Sequence, residues 1–297
     1  MIGIILIWPS HTDFKENIIK ELGKENYTIK KSNSLVVSKK FIKNILREIH
    51  YGKVWWDIHI DTEYKKRINN NTDKQTLNYL IIERDNIHTC LKSFKKRVRE
   101  KYKLDKSYFH ISDPDCFKHL GKNCDCKCDI HQFNRETKKH IDMLNNKNTI
   151  HFLNNANFKK DYNFNQFFKR YHTILHNSDS YNIDNFCIDN GGILAAYGIR
   201  DTHDLDFLTL YNDDINVNDR DVGCENKNHR AEYKILGYSI KDIIENPDNH
   251  FYHFGLKFMS LEILKKFKFN RTHTIGTGHK QIRQKDINDY KLISHFL

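Results

Sequence analysis

Gly3 to Trp8 is an unbroken apolar run, the pattern of a strand buried on both faces. Pro9 ends it, and Ser10, Thr12 and Asp13 are placed to cap a helix reaching about Leu22. Tyr27 to Lys30 and Leu35 to Val37 read as strands, and Phe41, Ile42, Ile45, Leu46 and Ile49 recur at helical spacing. Leu77 to Ile82 reads as another buried strand, followed by a basic helix from about Leu91 to Tyr102 and a short strand, Tyr108 to Ile111. Strands alternate with helices, which predicts an α/β domain with a largely parallel sheet. In such a sheet ligands gather at the carboxyl ends of strands, so three polar groups are expected to share a crevice. They are Ser10, His11 and Asp13; Glu83, Arg84 and Asp85; and His110, Ser112 and Asp113. Ordinary turn chemistry explains the same residues. A helix to about Leu144 and a short strand, Ile150 to Leu153, lead to a junction at Asn154 to Phe158, so the domains are expected at 1–155 and 156–297.

The second half opens on an amphipathic helix, Phe164 to Leu175, and then changes character. Phe186 to Ile188 is a buried strand, Gly191-Gly192 a tight turn, Ile193 to Tyr197 a short helix, and the next strand carries Asp204 and Asp206. Glycine has no Cβ and lets the backbone come close to a ligand, and helix N–H groups behind it suit a phosphate. Asp204 and Asp206 alternate with Leu205 and Phe207, which puts both carboxylates on one strand face. Two carboxylates together repel unless a cation lies between them, and Mg²⁺ prefers such hard oxygen ligands. Tyr211 to Lys227 is polar and too irregular for a strand. Ala231 to Leu236 alternates like a strand and carries Glu232; Phe251 to Phe258 is a further strand. Leu261 to Phe269 is a helix bearing Lys265, Lys266 and Lys268, and Arg271 precedes a last helix with Asp286 and Asp289.

Gly-Gly, about a dozen residues, then Asp-x-Asp resembles the signature of the nucleotidyltransferase superfamily, the DNA polymerase beta-like fold. The wording GGILAAYGIRDTHDLDFL is similar to its minimal branch, including abortive-infection toxins and proteins encoded near polysaccharide genes. The resemblance implies an α+β nucleotidyltransferase-like domain in the C-terminal half. It implies that Asp204, Asp206 and a third acid bind Mg²⁺. Glu232 is the best-placed third acid, with Glu262 and Asp248 as weaker candidates. Gly191 and Gly192 would cradle the phosphates of a nucleoside triphosphate, with Arg200, Lys265 or Arg271 meeting charge and Asp286 and Asp289 bracing those cations. The acceptor would be a hydroxyl on a glycan, nucleic acid or protein. One departure is that Asn190, not an apolar residue, precedes the first glycine. Two alternatives stand beside it: a glycan-pathway phosphoryl or sugar-phosphate transferase on the same scaffold, and an inactive protein that binds nucleotide or polyanion.

Composition adds little to the fold and something to the partners. The formal charge of +11 favours polyanions, although the lysines are spread along the chain. Lys92, Lys95, Lys96, Arg97 and Arg99 on the basic helix either meet phosphates or form a solvated face. The abundance of Lys, Asn and Ile reads as an AT-rich genome, such as a large DNA virus or an AT-rich microbe. No stretch approaches a membrane span, and MIGIILIWP reads as a first strand rather than a signal peptide. Seven unevenly placed cysteines suit a reducing intracellular compartment, the host cytoplasm if the chain is viral. Cys116, His119, Cys124, Cys126, Cys128 and His131 are competent Zn²⁺ ligands, but Cys-x-Cys-x-Cys is tighter than the usual knuckle, and an exposed loop is the simpler expectation.

Overall fold

Ile4 through Trp8 are completely enclosed, which requires cover on both faces of the strand they form. A computed structural model shows how this cover is made. It describes residues 1–50, 56–112, 130–156, 182–202, 205–211, 224–226, 230–253, 255–273 and 282–297. The chain divides into two compact units, Met1–Asn145 and Asn146–Leu297, so the division falls ahead of the expected 155.

In the first unit, β1 (Ile2–Ile7) lies between β3 (Lys74–Glu83) and β4 (Phe109–Ile111), and β2 (Thr28–Ser38) pairs with the far side of β3. Every pairing is antiparallel. The expected largely parallel α/β sheet is therefore wrong. The alternation of strand and helix is present, but neither crossover joins neighbours. α1 (Lys15–Lys24) carries the chain from β1 to β2 with β3 between them, and α4 (Ile87–Tyr102) carries it from β3 to β4 with β1 between them. This is the split βαβ arrangement, in which each parallel pair has an antiparallel strand inserted. Periodicity reports that a strand is buried; it does not report which strand lies beside it.

Alternate residues of these strands serve opposite faces. Ile5, Ile7, Leu80, Ile82, Phe109 and Ile111 share one cluster with Ile18 and Leu22 of α1 and with Leu91, Phe94 and Val98 of α4. Ile4, Leu6 and Trp8 are equally enclosed. α2 (Lys39–Ile49), capped by the Ser38 hydroxyl, packs against β2 and β3, and α5 (Ile130–Asn145) against β1. α3 (Trp56–Lys65) packs against α2.

Three local expectations change. Pro9 opens a 3-10 turn, Pro9–Phe14, with no side-chain cap, and α1 starts only at Lys15. Tyr27 to Val37 is one strand with a bulge between Ile29 and Lys31, not two. The expected crevice does not form, because Glu83 lies in register with Ile2 and Ile111 with Ile5. Antiparallel pairing thus sends Glu83 and Arg84 to the opposite end of the sheet from Ser10 and His11, while Asp113 lies outside the described residues.

In the second unit, five strands take the order β7-β6-β5-β9-β8. They are β5 (Phe186–Ile188), β6 (Leu205–Thr209), β7 (Cys224–Asn226), β8 (His250–His253) and β9 (Leu256–Met259). β5–β6 and β8–β9 are antiparallel, β5–β9 and β6–β7 parallel, so this sheet is mixed. The expected strand at Ile150 to Leu153 is instead part of α6 (Lys147–Asn155), whose N-terminus the Asn146 side chain caps. Phe251 to Phe258 is a hairpin, turned at Gly255 with φ 69°. β7 lies inside the stretch expected to be loop. Ala231 to Leu236 was expected to be a strand, yet Arg230–Ile235 is helix α8. Its alternation misleads, since Tyr233 is fully buried while Ile235 is 56% exposed. α7 (Gly191–Tyr197), α9 (Ile240–Glu245), α10 (Leu261–His273) and α11 (Gln284–Phe296) complete the unit. The expected helix at Phe164 to Leu175 lies outside the described residues, and among these no helix is long and apolar enough to cross a membrane.

Glu21 ties α1 to α4. One carboxylate oxygen accepts from Lys101 and Lys24, each at 2.8 Å, and from the Tyr102 hydroxyl at 2.9 Å. The bond from Lys101, then that from Lys24, hold the carboxyl at about 2, against an ordinary value of 4.5. A depressed carboxyl stabilises the fold above its unfolded value, and that contribution is lost as pH falls from about 4.5 towards 2. Glu21→Gln is expected to flatten the decline of melting temperature across this window, as followed by circular dichroism between pH 5 and pH 2.

Candidate functional site

The site is built on β5, α7 and β6. β5 and β6 pair with Ile188 opposite Phe207, and the Asp189 N–H donates to the Asp206 carbonyl at 2.9 Å. The chain must then reverse into α7, and Asn190 does this with φ 49° and ψ −120°. Positive φ is costly for a non-glycine residue, and Asn is among the few that tolerate it. Asp189 holds the reversal in place. Its carboxylate accepts from the Asn190 N–H at 2.6 Å and from the Asn190 side-chain amide at 3.2 Å. The Tyr233 hydroxyl of α8 donates to the same carboxylate at 2.6 Å. Burial, and then the adjacent Asp189 charge, raise the Tyr233 hydroxyl well above its usual range, so it remains a proton donor.

Gly191 and Gly192 open α7 immediately after this reversal. A Cβ on Gly192 would lie 2.6 Å from Ile188 Cγ2 and 3.2 Å from Leu205 Cδ1, atoms of the two strands beneath it. A Cβ on Gly191 would lie 2.4 Å from Thr202 Oγ1 and 3.8 Å from Arg200 Nη1. Gly192 therefore lets the helix sit directly on the sheet, and Gly191 lets Thr202 and Arg200 close over the turn. Asp206 is buried on β6, and Glu225 of β7 is its register partner. Asp204 lies outside the described residues.

The cations and acids of the last two helices form a connected set. Arg200 grips Asp289 through Nε at 2.6 Å and Nη2 at 2.9 Å. Lys268 is buried between Asp286 at 2.6 Å and Asp289 at 3.3 Å. Burial would raise the Asp289 carboxyl, but the bonds from Arg200 and the Lys268 charge outweigh it and hold it below the usual range. Arg271 grips Glu232 with Nε at 2.7 Å and Nη2 at 2.9 Å, and packs on the Phe267 ring. Arg271 is also 3.9 Å from Asp286. Burial would lower the Arg271 guanidinium, and the pair with Glu232 more than restores it.

The structure thus brings Gly191, Gly192, Arg200 and Asp206 to one turn and joins Arg271 to Glu232. Glu232 sits on a helix and faces an arginine, rather than on a strand beside Asp206. Glu225 occupies the strand position that was sought. It was missed because a three-residue strand inside an Asn- and Asp-rich stretch has no period to detect. Asp286 and Asp289 do brace a lysine, but it is Lys268 rather than the half-buried Lys265. The signal was present: Leu264, Phe267, Lys268 and Arg271 recur at i, i+3, i+4 and i+7, which puts Lys268 on the inward stripe. Asp189 and Tyr233 carried no recognisable spacing.

The Asp206 carboxylate offers oxygen ligands, the chemistry that Mg²⁺ requires. Among the described residues no three His, Cys, Asp or Glu side chains come together as a metal cluster. Cys116, His119, Cys124, Cys126 and Cys128 lie outside those residues, and only the backbone of His131 is described, in α5. No protein-family model, curated protein or solved structure matches the chain significantly.

Two outcomes follow. Gly192→Ala forces a methyl against a β-branched strand residue, and should cost about 1–3 kcal/mol, the usual range for overpacking. Urea denaturation would register it as a lower midpoint with an unchanged slope. Lys268→Met removes a buried cation from between two carboxylates and should cost roughly 3–5 kcal/mol, the range for breaking a buried pair. Lys265→Met, on the same helix, should shift the urea midpoint far less.

Proposed function

We propose that the second unit is a nucleotidyltransferase-like domain that binds a nucleoside triphosphate and transfers its nucleotidyl group to a hydroxyl acceptor. The observation that carries this reading is the β5-α7-β6 unit: a glycine turn packed on two strands, with buried Asp206 next to Glu225 in register. Asp206 and Glu225, with Asp204, are the residues that would hold Mg²⁺, which supplies charge neutralisation to a bound triphosphate. Arg200 is the cation beside the glycine turn: Asp289 holds Nε and Nη2, and Nη1, which also donates to the Asp201 carbonyl at 2.8 Å, is the edge that faces Gly191 and would meet a phosphate. A preorganised cation of this kind stabilises charge that develops in a transition state. The acceptor oxygen forms a bond to the α-phosphorus as the bond to the bridging oxygen breaks. Pyrophosphate leaves, and the acceptor proton passes to a carboxylate, with Asp206 the described candidate.

A second reading is an inactive nucleotide- or polyanion-binding protein, favoured by the commitment of Glu232 to Arg271. Purified protein with each labelled triphosphate and Mg²⁺ separates them: transfer of label with pyrophosphate release supports the enzyme, and binding without turnover supports the second. If transfer occurs, Asp206→Asn should lower its rate by on the order of 10²-fold or more at an unchanged fold. Wild-type turnover in that variant would remove Asp206 from the site.

A further inference from the structure

On α10 two neighbouring residues take each other's expected places: Lys268 is 4% exposed and Phe269 45%. Asp286 and Asp289 account for the buried lysine. Nothing in that network accounts for the exposed ring. A single exposed apolar side chain is ordinary, but Phe269 does not stand singly. His273, exposed one turn on, stacks against it with ring centres 4.0 Å apart and planes 23° apart. Tyr290 of α11, half-buried, lies 5.4 Å from the same ring. The stack is held in place, because His273 Nδ1 donates to the Phe269 carbonyl at 2.9 Å.

Cations share this stripe. Lys265, Lys266, Phe269 and His273 stand at i, i+1, i+4 and i+8, which is one side of a helix, opposite the side of Lys268 and Arg271. Lys266 donates to the half-buried Tyr238 hydroxyl at 2.9 Å and lies 5.3 Å from the centre of that ring. A hydroxyl and a ring face orient an ammonium group without cancelling its charge. Among the described residues neither Lys265 nor Lys266 has a carboxylate within ion-pair distance, although exposed Glu262 opens the same stripe one turn earlier. Lys268 and Arg271, by contrast, are matched by acids within the network. Along the outer face, ring, cation and stacked rings thus follow one another from Tyr238 to His273.

From this arrangement we infer that the outer face of α10 binds single-stranded nucleic acid. Every base offers a flat face to an aromatic ring, and the phosphates between bases meet lysines, so interleaved rings and cations suit a strand. A duplex stacks its bases on one another and leaves no face for Phe269. An acidic peptide would use the lysines and leave the stacked rings unmatched. The formal charge of +11 favours the approach of a polyanion, and the aromatic row supplies the contacts that select a strand with open bases. The inference uses neither Asp206 nor Arg200, so it does not rest on the transferase reading.

The test titrates a fluorescein-labelled single-stranded oligonucleotide of mixed sequence with the full chain, read by fluorescence anisotropy. EDTA is present, so that metal-dependent steps at the glycine turn do not contribute. The strand is expected to bind, and unlabelled duplex or polyglutamate to compete more weakly than unlabelled strand. Phe269→Leu should weaken the strand by roughly fivefold or more, the effect of losing one stacked base, with little change in melting temperature. Phe269→Tyr keeps the ring and should keep the affinity. The double variant Lys265→Gln/Lys266→Gln should flatten the slope of log affinity against log salt by about 1, as lost phosphate contacts require. Absence of binding overturns the inference, as does wild-type affinity in Phe269→Leu or an equal loss in Phe269→Tyr. So does an unchanged salt slope in the lysine variant, or equal competition by duplex or polyglutamate.

Discussion

Lys268 buried between Asp286 and Asp289 is the interaction on which the second unit depends. A lysine taken out of water is expensive unless its charge is matched and its protons find acceptors. Here two carboxylates match it, and each is shared with an arginine: Asp289 with Arg200, and Asp286, at longer range, with Arg271. The network therefore reaches from α10 and α11 to the segment after α7, and through Arg271 to Glu232 on α8. Removing Lys268 leaves Asp286 and Asp289 close together with only the arginines to offset them. The chain gains from this a guanidinium fixed beside the glycine turn.

The turn itself is held by a third buried carboxylate. Asp189 satisfies the amide of a residue in left-handed geometry and receives the Tyr233 hydroxyl, so α8 and β5 are bound through one side chain. Gly192 then lets α7 descend onto Ile188 and Leu205. The glycines that suggest a phosphate cradle are required by packing alone, and a ligand role comes in addition to that requirement. Their presence is thus explained without a ligand.

The first unit uses its cations differently. In the second unit arginine and lysine charges meet carboxylates across every described contact that defines the network. In the first unit Arg67 pairs with Glu63 at 2.6 Å and also donates to the Lys106 carbonyl, which Arg99 shares beside the Phe109 carbonyl and ring.

Burial and helical period were legible from sequence alone. The apolar run of β1, the stripe of α2 and the strand–turn–helix–strand around Gly191 all follow from residue order, because burial imposes its period directly on the chain. The split βαβ order was not legible, since pairing is decided by which strand fills the gap between two others, a relation between distant segments. Glu232 and Glu225 show the same limit. Alternation in Ala231 to Leu236 mimicked a strand, but Tyr233 is drawn inward, by Phe267 and Asp189, while Ile235, two residues on, is exposed, as a helix requires. β7 exists only because β6 offers it an edge.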